Sequence, residues 1–420
     1  MKATRIQLAD GVYLTHLPAR KFKTSLLSAQ FVTPLRQDTA SALALLPAVL
    51  RRGTVRYPDL GALSAQLDRL YGASVEYTIR KKGENQCVGF VASFIDDSFA
   101  PGGEKLLEPA AELVGELICD PVTERGRFVS TYFESEKTNL IDAIRSQIND
   151  KRDYAAARLL QEMCAGEPYG VGRLGDEKSA EKLQMKKLYA QYGELISTAR
   201  LELIYIGSAS LDRVRQALAS AFATLPRDGI RDIAPAMPHP VRSEVRTVEE
   251  EMDVTQGKLC MGFSCGSSDY GAMLLGNTLF GGSSNSKLFM NVREKLSLCY
   301  YASSTLEKQK GLVLVSSGIE FDKFQTAKDE ILAQLEAIRR GEMESWELEG
   351  ARRTLISGHL STLDDQGRQE EFWLGQAAAR LDTTIEELCA RFEAVTAQQV
   401  AQCAKKLELD TIYFLKGKEA

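Results

Sequence analysis

The chain has 420 residues, a formal net charge of −5 and a pI of about 5.6, and 44% of its residues are hydrophobic and 26% charged. A chain of this length is expected to form two or more domains, and its composition excludes both intrinsic disorder and a fibrous repeat. Because the net charge is negative, we expect no basic surface that binds nucleic acid.

Neither the N-terminus nor any internal stretch has the apolar run of a signal peptide or a membrane-spanning helix. The first residues, MKATRIQLADGVYLTH, contain no hydrophobic segment of signal-peptide length. No other stretch approaches the ~20 apolar residues that are needed to span a bilayer. We therefore expect a cytoplasmic bacterial protein without a membrane partner.

Cysteine and histidine form no recognisable ligand or redox motif. The eight cysteines are scattered without a C-x-x-C pair, and most lie in apolar runs, so we predict that they are reduced and buried. The three histidines, His16, His239 and His359, are far apart and none pairs with another at helical spacing. The sequence therefore predicts that this chain binds no metal ion or other cofactor and has no Ser-His-Asp triad.

From the N-terminus onwards, the predicted elements occur twice in the same order. In the first half an alternating strand, KTSLLSAQFVTPL, precedes an apolar helix, ASALALLPAVLRR, and a GT dipeptide. In the second half the corresponding strand, helix and dipeptide are KLCMGFSCG, YGAMLLGNTLF and GG. A glycine-led strand follows in each half, from Gly89 and from Gly311, and then an amphipathic helix, a long polar helix and a closing apolar strand. A proline-rich stretch, residues 225–242, separates the two halves.

This duplication predicts an α+β fold with two homologous α/β-sandwich-like domains. Each domain would have an antiparallel-rich sheet with helices on one face, and the pair would form a clamshell around a cavity. The predicted boundaries are 1–224 for the N-terminal domain, 225–245 for the linker and 246–420 for the C-terminal domain. Fold class alone does not specify a chemistry.

One stretch of the second half, FGGSSNSKLFMNVREKLSLCYYAS, contains candidate binding residues. Its glycines, Gly281 and Gly282, are adjacent, and the next lysine lies five residues further on, so the spacing is not that of a P-loop. The pattern predicts instead that the glycines end one helix in a left-handed cap. One of the serines that follow, Ser283, Ser284 or Ser286, would cap the next helix.

Arg293 and Tyr300 stand seven residues apart in the segment that follows the glycines. In an α-helix this spacing is two turns, so both side chains would project from nearly the same face about 10 Å apart. The alternative is a surface arginine that pairs with Glu294 and a partly buried ring at a helix end.

The motif GG, then S-x-L-F, then R-E-x-x-x-L-x-Y resembles the C-terminal domain of the pitrilysin/insulinase family of zinc metallopeptidases. PYGVGRLGDEKSAEKL (168–183) and GTVRYPD (53–59) are similar to motifs of that family's N-terminal domain. The resemblance covers the whole chain and implies two related α+β domains that enclose a substrate chamber, usually completed by a second pair. It also implies that Arg293 and Tyr300, beside the Gly281–Gly282 loop, hold the backbone carbonyl of a peptide.

The family resemblance further implies an H-x-x-E-H helix, in which two histidines bind Zn²⁺ and the glutamate polarises the attacking water. Aligned on GTVRYPD, the histidine positions fall on Ala44 and Ala48 and the glutamate position on Pro47. On a later helix Glu136 matches the first of two family glutamates, but the metal-binding one falls on Ala143. We therefore predict no catalytic residue and no zinc site of this kind in the chain.

The sequence favours a catalytically silent subunit of a heterodimeric peptidase, similar to the non-catalytic subunit of mitochondrial processing peptidase. Such a subunit would enclose the peptide and supply Arg293 and Tyr300, while a paralogous partner supplies zinc. The sequence is also compatible with a partner that is a second copy of this chain. The alternatives are a non-enzymatic peptide-binding or scaffold protein, and an active peptidase with an unorthodox metal site.

Overall fold

The structure is a computed structural model that describes residues 3–266 and 269–418. Its strands are β1 (Thr4–Ala9), β2 (Val12–Pro18), β3 (Thr24–Pro34), β4 (Ser74–Lys82), β5 (Asn85–Ile95), β6 (Thr123–Glu124), β7 (Arg127–Phe128), β8 (Arg200–Gly207), β9 (Arg246–Met252), β10 (Gly257–Ser264), β11 (Cys299–Glu307), β12 (Leu312–Ile319) and β13 (Glu408–Gly417).

The α-helices are α1 (Ala40–Leu50), α2 (Leu60–Arg69), α3 (Leu107–Cys119), α4 (Ser130–Ser146), α5 (Lys151–Met163), α6 (Glu177–Glu181), α7 (Met185–Thr198), α8 (Leu211–Ala221), α9 (Tyr270–Phe280), α10 (Phe324–Arg340), α11 (Ser345–Ser361), α12 (Gln366–Ala378), α13 (Ile385–Ala394) and α14 (Ala397–Ala404). A π-helix spans Leu288–Lys295. Single 3₁₀ turns lie at Asp97–Phe99, Gln147–Asn149, Pro168–Gly170, Phe321–Lys323 and Thr362–Asp364.

The chain divides into two compact units. Unit 1 comprises Met1–Arg145, Val171–Pro235 and Asp365–Thr384, and unit 2 comprises Ser146–Gly170, Ala236–Asp364 and Ile385–Ala420. These units differ from the continuous halves that the sequence predicts, because α5 packs in unit 2 and α12 packs in unit 1.

The two units share one sheet topology. In unit 1 the strand order is β1-β2-β8-β3-β5-β4, and β2 and β8 are parallel while the other neighbours are antiparallel. In unit 2 the order is β9-β13-β10-β12-β11, in which β9 and β13 are parallel and the other neighbours are antiparallel. The unit 2 sheet thus repeats five strands of the unit 1 sheet in the same order, and the predicted α+β fold with duplicated domains is confirmed.

The unit 1 sheet is apolar on both faces. Leu27 and Leu203 belong to a large core with α1, α3, α7 and α8, whereas their neighbours Leu26 and Ile204 belong to a second core with Trp373 of α12. Successive side chains of a strand point to opposite faces, so α12 lies on the face opposite the helix layer. This single helix is a feature that the sequence did not predict.

Helix α5 has the same place in unit 2. Its residues Ala155, Leu159 and Met163 pack against Cys260 and Tyr413 of the sheet. On the helical side, α9 packs against β11, and α10, α11, α13 and α14 pack against α9. Each sheet therefore carries the predicted helix layer on one face and one additional helix on the other.

Two glycines provide a matched test of helix packing in unit 1. A Cβ on Gly115 of α3 would lie 2.3 Å from the backbone oxygen of Ala221 at the end of α8, whereas a Cβ on Gly193 of α7 would meet no atom within 4 Å. Gly115→Ala is expected to lower the free energy of unfolding by ~1–3 kcal/mol, because the two helix backbones must separate. Gly193→Ala is expected to raise it by ~0.5–1 kcal/mol. Urea unfolding of both variants checks this, and equal shifts would contradict the packing.

Candidate functional site

Helix α1 carries the three positions that the family motif assigns to metal binding and catalysis. Every residue of α1 is buried, including Ala44, Pro47 and Ala48, as expected of a helix that is apolar all round. Pro47 lacks an N–H group and cannot complete the helical hydrogen bond to the residue four positions earlier. These side chains offer two methyl groups and a pyrrolidine ring, so they do not fit a zinc ion, and we assign no chemical step to a metal at this place.

The GTVRYPD motif forms the turn after α1, and the backbone geometry of this turn requires its glycine and threonine. A Cβ on Gly53 would lie 2.6 Å from the carbonyl carbon of Pro58, so only glycine fits. The Thr54 N–H donates to the Tyr57 carbonyl at 2.8 Å, and the Tyr57 N–H donates to Thr54 Oγ1 at 2.9 Å. The motif has a structural role that is independent of metal binding.

A partly buried ion pair joins the end of α1 to α4. Arg52 Nε donates to Glu136 Oε1 at 2.5 Å, and its Nη2 donates to Ser135 Oγ at 2.8 Å. The second Glu136 oxygen accepts from Asn139 Nδ2 at 3.1 Å. Thus Glu136, the carboxylate that matches the family pattern, is held by hydrogen bonds, while Ala143 lies exposed two turns later. Sequence reasoning missed Arg52, which is 84 positions from its partner.

In unit 2 the predicted Gly281–Gly282 loop ends α9, but not in the conformation that we expected. The φ of Gly281 is −152°, so the predicted left-handed cap is wrong. Glycine is needed there because a Cβ would lie 2.7 Å from the Ser304 nitrogen of β11. The N–H groups of Gly281 and Gly282 both donate to the Asn277 carbonyl at 2.9 Å. Their geometry therefore supports packing of α9 on β11, and their role in substrate binding stays a prediction.

The segment after the glycines is a π-helix, Leu288–Lys295, where an α-helix was expected. Of the candidate caps, Ser286 accepts a hydrogen bond at Oγ from the Phe289 N–H at 3.3 Å. At the other end, the Leu296 N–H donates to the Asn291 carbonyl at 3.1 Å, five residues earlier. Such wider turns are frequent at functional sites.

Tyr300 does not share a helix with Arg293, so the prediction of two turns on one helix face is wrong. Ser297 adopts a positive φ of 48°, which stops the helix, and Tyr300 lies in the terminal strand β11. The pairing of β11 with β12 shifts register between Cys299 and Tyr301, which makes Tyr300 part of a β-bulge. A bulge can redirect a side chain out of the sheet, and Tyr300 is 65% exposed.

Arg293 presents its guanidinium group at the surface of unit 2. The group stacks on Phe289 at 4.6 Å from the ring centroid, and its Nη1 lies 3.5 Å from Glu294 Oε1. The side chain is 40% exposed. The pair with Glu294 that we considered as the alternative therefore exists, but an exposed ion pair of this length contributes little free energy. The guanidinium group can exchange this partner for a ligand.

Two of the three histidines have plain structural roles. His16 Nε2 lies 2.9 Å from the Ala209 carbonyl, and His359 Nδ1 lies 2.9 Å from the Leu355 carbonyl. None of the eight cysteines, all of which lie in the described part of the chain, forms a disulfide bond, and all are buried except Cys119, which is partly buried, in agreement with the predicted burial. Among the described residues, no helix combines the length and the apolar character that a membrane span requires.

The duplicated α+β units and the apolar residues at the motif positions define a metallopeptidase fold without its metal ligands. A sequence profile described as "Peptidase M16 inactive domain" matches residues 182–355. A Bacillus subtilis (strain 168) protein named "Probable inactive metalloprotease YmfF" is 36% identical over 404 residues, which cover 95% of this chain and 94% of that protein. The chain therefore belongs to the M16 peptidase family, as an inactive member, and the predicted membership in the pitrilysin/insulinase-type family is confirmed.

Two further comparisons cover most of the chain. A conserved protein from Enterococcus faecalis V583, known from its crystal structure, has a TM-score of 0.91 and 28% identity over 100% of this chain and 99% of that chain. The Bacillus subtilis (strain 168) protein named "Antilisterial bacteriocin subtilosin biosynthesis protein AlbE" is 26% identical over 292 residues, 68% of this chain and 72% of that protein.

Proposed function

We propose that the chain is a catalytically silent subunit that binds and encloses a peptide and complements a zinc-bearing paralogue in a heterodimeric peptidase. The observation that carries this proposal is a contrast within the chain. The motif positions for metal binding are buried and apolar, whereas Arg293 and Tyr300 keep polar groups at the surface. The similarity to a protein named as a probable inactive metalloprotease also supports a subunit without a catalytic centre.

The chemistry of the two exposed groups suits a peptide backbone. A guanidinium and a phenol O–H are hydrogen-bond donors, and peptide hydrolysis places negative charge on the carbonyl oxygen of the scissile bond in the transition state. Donors directed at that oxygen lower the barrier without performing proton transfer themselves. In our proposal the zinc-bound water and the general base belong to the paralogue.

The position of Tyr300 suits an extended ligand. Because β11 is the terminal strand in the order of the unit 2 sheet, a peptide can add to it through main-chain hydrogen bonds. The bulge that contains Tyr300 then directs the phenol group out of the strand, next to the ligand. Alternate side chains of the peptide would provide specificity.

The proposal is tested by mixing the purified chain with a paralogue from the same organism that retains H-x-x-E-H. We expect the two proteins to co-elute and to cleave fluorogenic peptides faster than the paralogue alone. Co-elution without any change in cleavage would overturn the catalytic role and favour the scaffold alternative. Failure to co-elute with every such paralogue would overturn the heterodimer, and a dimer of the isolated chain would then indicate homodimeric peptide binding.

A further inference from the structure

A cluster of three potential metal ligands lies inside unit 2, apart from the motif positions of α1. Cys164 ends α5, Glu167 follows it in the next turn, and His239 comes from the segment before β9. His239 Nδ1 lies 2.6 Å from Glu167 Oε1 and 4.0 Å from Cys164 Sγ. One ligand atom of each residue lies within 4.8 Å of the others.

The ring nitrogen of His239 and the carboxylate oxygen of Glu167 that would not bind the metal each contact a buried side chain. His239 Nε2 lies 3.2 Å from Asp410 Oδ2, and Asp410 Oδ1 accepts a hydrogen bond from Thr411 Oγ1 at 2.6 Å. Glu167 Oε2 accepts from Lys310 Nζ at 2.7 Å, and the backbone N–H of His239 donates to the backbone carbonyl of Lys310 at 2.8 Å. A carboxylate on the far nitrogen of a histidine is the usual support of a metal-bound imidazole.

We propose that Cys164, Glu167 and His239 bind one zinc ion. A thiolate, an imidazole and a carboxylate form a ligand set that zinc accepts, whereas magnesium and calcium prefer oxygen ligands alone. Water would complete the tetrahedron as the fourth ligand. The charges of the ion, the thiolate, the Glu167 and Asp410 carboxylates and the Lys310 ammonium then sum to zero. The partly exposed Arg242, with its Nε 3.8 Å from Asp410 Oδ2, adds one further positive charge at the edge of the cluster.

The required rearrangement is small. Ligand atoms around a tetrahedral zinc ion lie roughly 3.3–3.6 Å apart, so Glu167 Oε1 must withdraw from His239 Nδ1 by roughly 1 Å. Glu167 is the only one of the three that is partly exposed, with 21% of its side chain accessible, so it can make this movement. Zinc displaces the Cys164 proton and any proton on Nδ1, and these are released to solvent.

The burial of these residues argues against a catalytic cysteine and is compatible with a bound metal ion. Cys164, His239 and Asp410 are arranged like a thiol, a base and a carboxylate that orients it. However, Cys164 is 0% exposed and His239 is 1% exposed, so a peptide cannot reach the sulfur. A metal ion is small enough to enter beside Glu167. The ion would fasten the end of α5 to the segment that contains His239.

The test uses the isolated full chain, stripped with a chelator and reloaded with Zn²⁺ or Co²⁺. We expect one zinc ion per chain by mass spectrometry of the metal, and a thiolate-to-cobalt charge-transfer band in the Co²⁺ form. Cys164→Ser should abolish that band, whereas Cys260→Ser, which changes another buried cysteine of unit 2, should leave it intact. A folded wild-type chain that binds neither metal, or a band that persists in Cys164→Ser, would overturn the proposal.

Two further variants keep the test decisive if Cys164→Ser does not fold. Asp410→Asn retains a hydrogen-bond acceptor for His239 and is expected to weaken zinc binding about 10- to 100-fold. Glu167→Gln changes the partly exposed ligand, retains an oxygen for Lys310, and should also lower the affinity. Unchanged zinc affinity in both folded variants would contradict the site. This outcome does not depend on the peptide-binding proposal, because no paralogue or peptide is present.

Discussion

Replacing Arg293 with alanine is expected to lower peptide turnover by the mixture of the chain and its zinc-bearing paralogue about 10²- to 10³-fold, the usual effect of removing one donor from a developing oxyanion. The reason is that the guanidinium group is exposed and only weakly paired with Glu294. Tyr300→Phe removes the phenol O–H and keeps the ring, so it should give a smaller loss in the same direction.

The control for this prediction is Arg340→Ala, which removes another exposed arginine of unit 2 that pairs with Glu342. Turnover by this variant should match that of the wild type. Steady-state kinetics separate the possible roles of Arg293. An interaction made only in the transition state lowers kcat and kcat/KM equally, whereas a contact to the ground state raises KM alone. Equal turnover by Arg293→Ala and Arg340→Ala would contradict the assigned role.

The second large effect is expected at Asp96, which joins three strand ends of the unit 1 sheet. Its Oδ1 accepts from Ser98 Oγ and Ser208 Oγ, each at 2.6 Å, and its Oδ2 accepts from Ser25 Oγ at 2.8 Å and the Ser208 N–H at 3.0 Å. Asp96→Asn places an amide N–H₂ group against these donors. We expect a loss of ~1.5–3 kcal/mol in the free energy of unfolding at neutral pH.

The same carboxylate predicts a pH dependence of stability. Burial disfavours its charge, but hydrogen bonds from Ser208, Ser98 and Ser25 outweigh burial and hold the pKa of Asp96 well below its usual value. A lowered folded-state pKa means that the stabilisation is complete above the unfolded pKa of about 3.9 and is lost as the pH falls through the folded-state pKa.

Thermal unfolding from pH 7 to pH 3 checks this sign. The difference between wild type and Asp96→Asn should be largest at neutral pH and should shrink as the pH falls below about 4. Asp142→Asn, on the exposed face of α4, serves as the control and should follow the wild type. A constant difference between wild type and Asp96→Asn across this range would show that the charge of Asp96 contributes nothing.

The sequence predicted the duplicated fold because apolar periodicity and the order of elements repeat in both halves. It did not predict that α5 packs in unit 2 and α12 in unit 1. The helical pattern of such a segment shows that one face is apolar, but it contains no information about which of two similar sheets that face will cover. Tertiary packing decides this.

The sequence selected Arg293 and Tyr300 as candidate residues, and their binding role stays a prediction, but it did not predict the local backbone geometry around them. The motif gave no sign of the π-helix, of the β-bulge, or of the positive φ of Ser297, a conformation that is uncommon for residues other than glycine. The proposed zinc site gave no signal in the sequence, because Cys164 and His239 are 75 positions apart and neither lies in a spaced ligand motif.

The most direct test of the central claim, that this chain has no catalytic centre of its own, is peptide hydrolysis by the isolated chain after loading with zinc. A mixed peptide library analysed by mass spectrometry should show no product above the buffer control, because the motif positions on α1 hold Ala44, Pro47 and Ala48. Cleavage that follows the chain through successive purification steps and stops when a chelator is added would contradict the account.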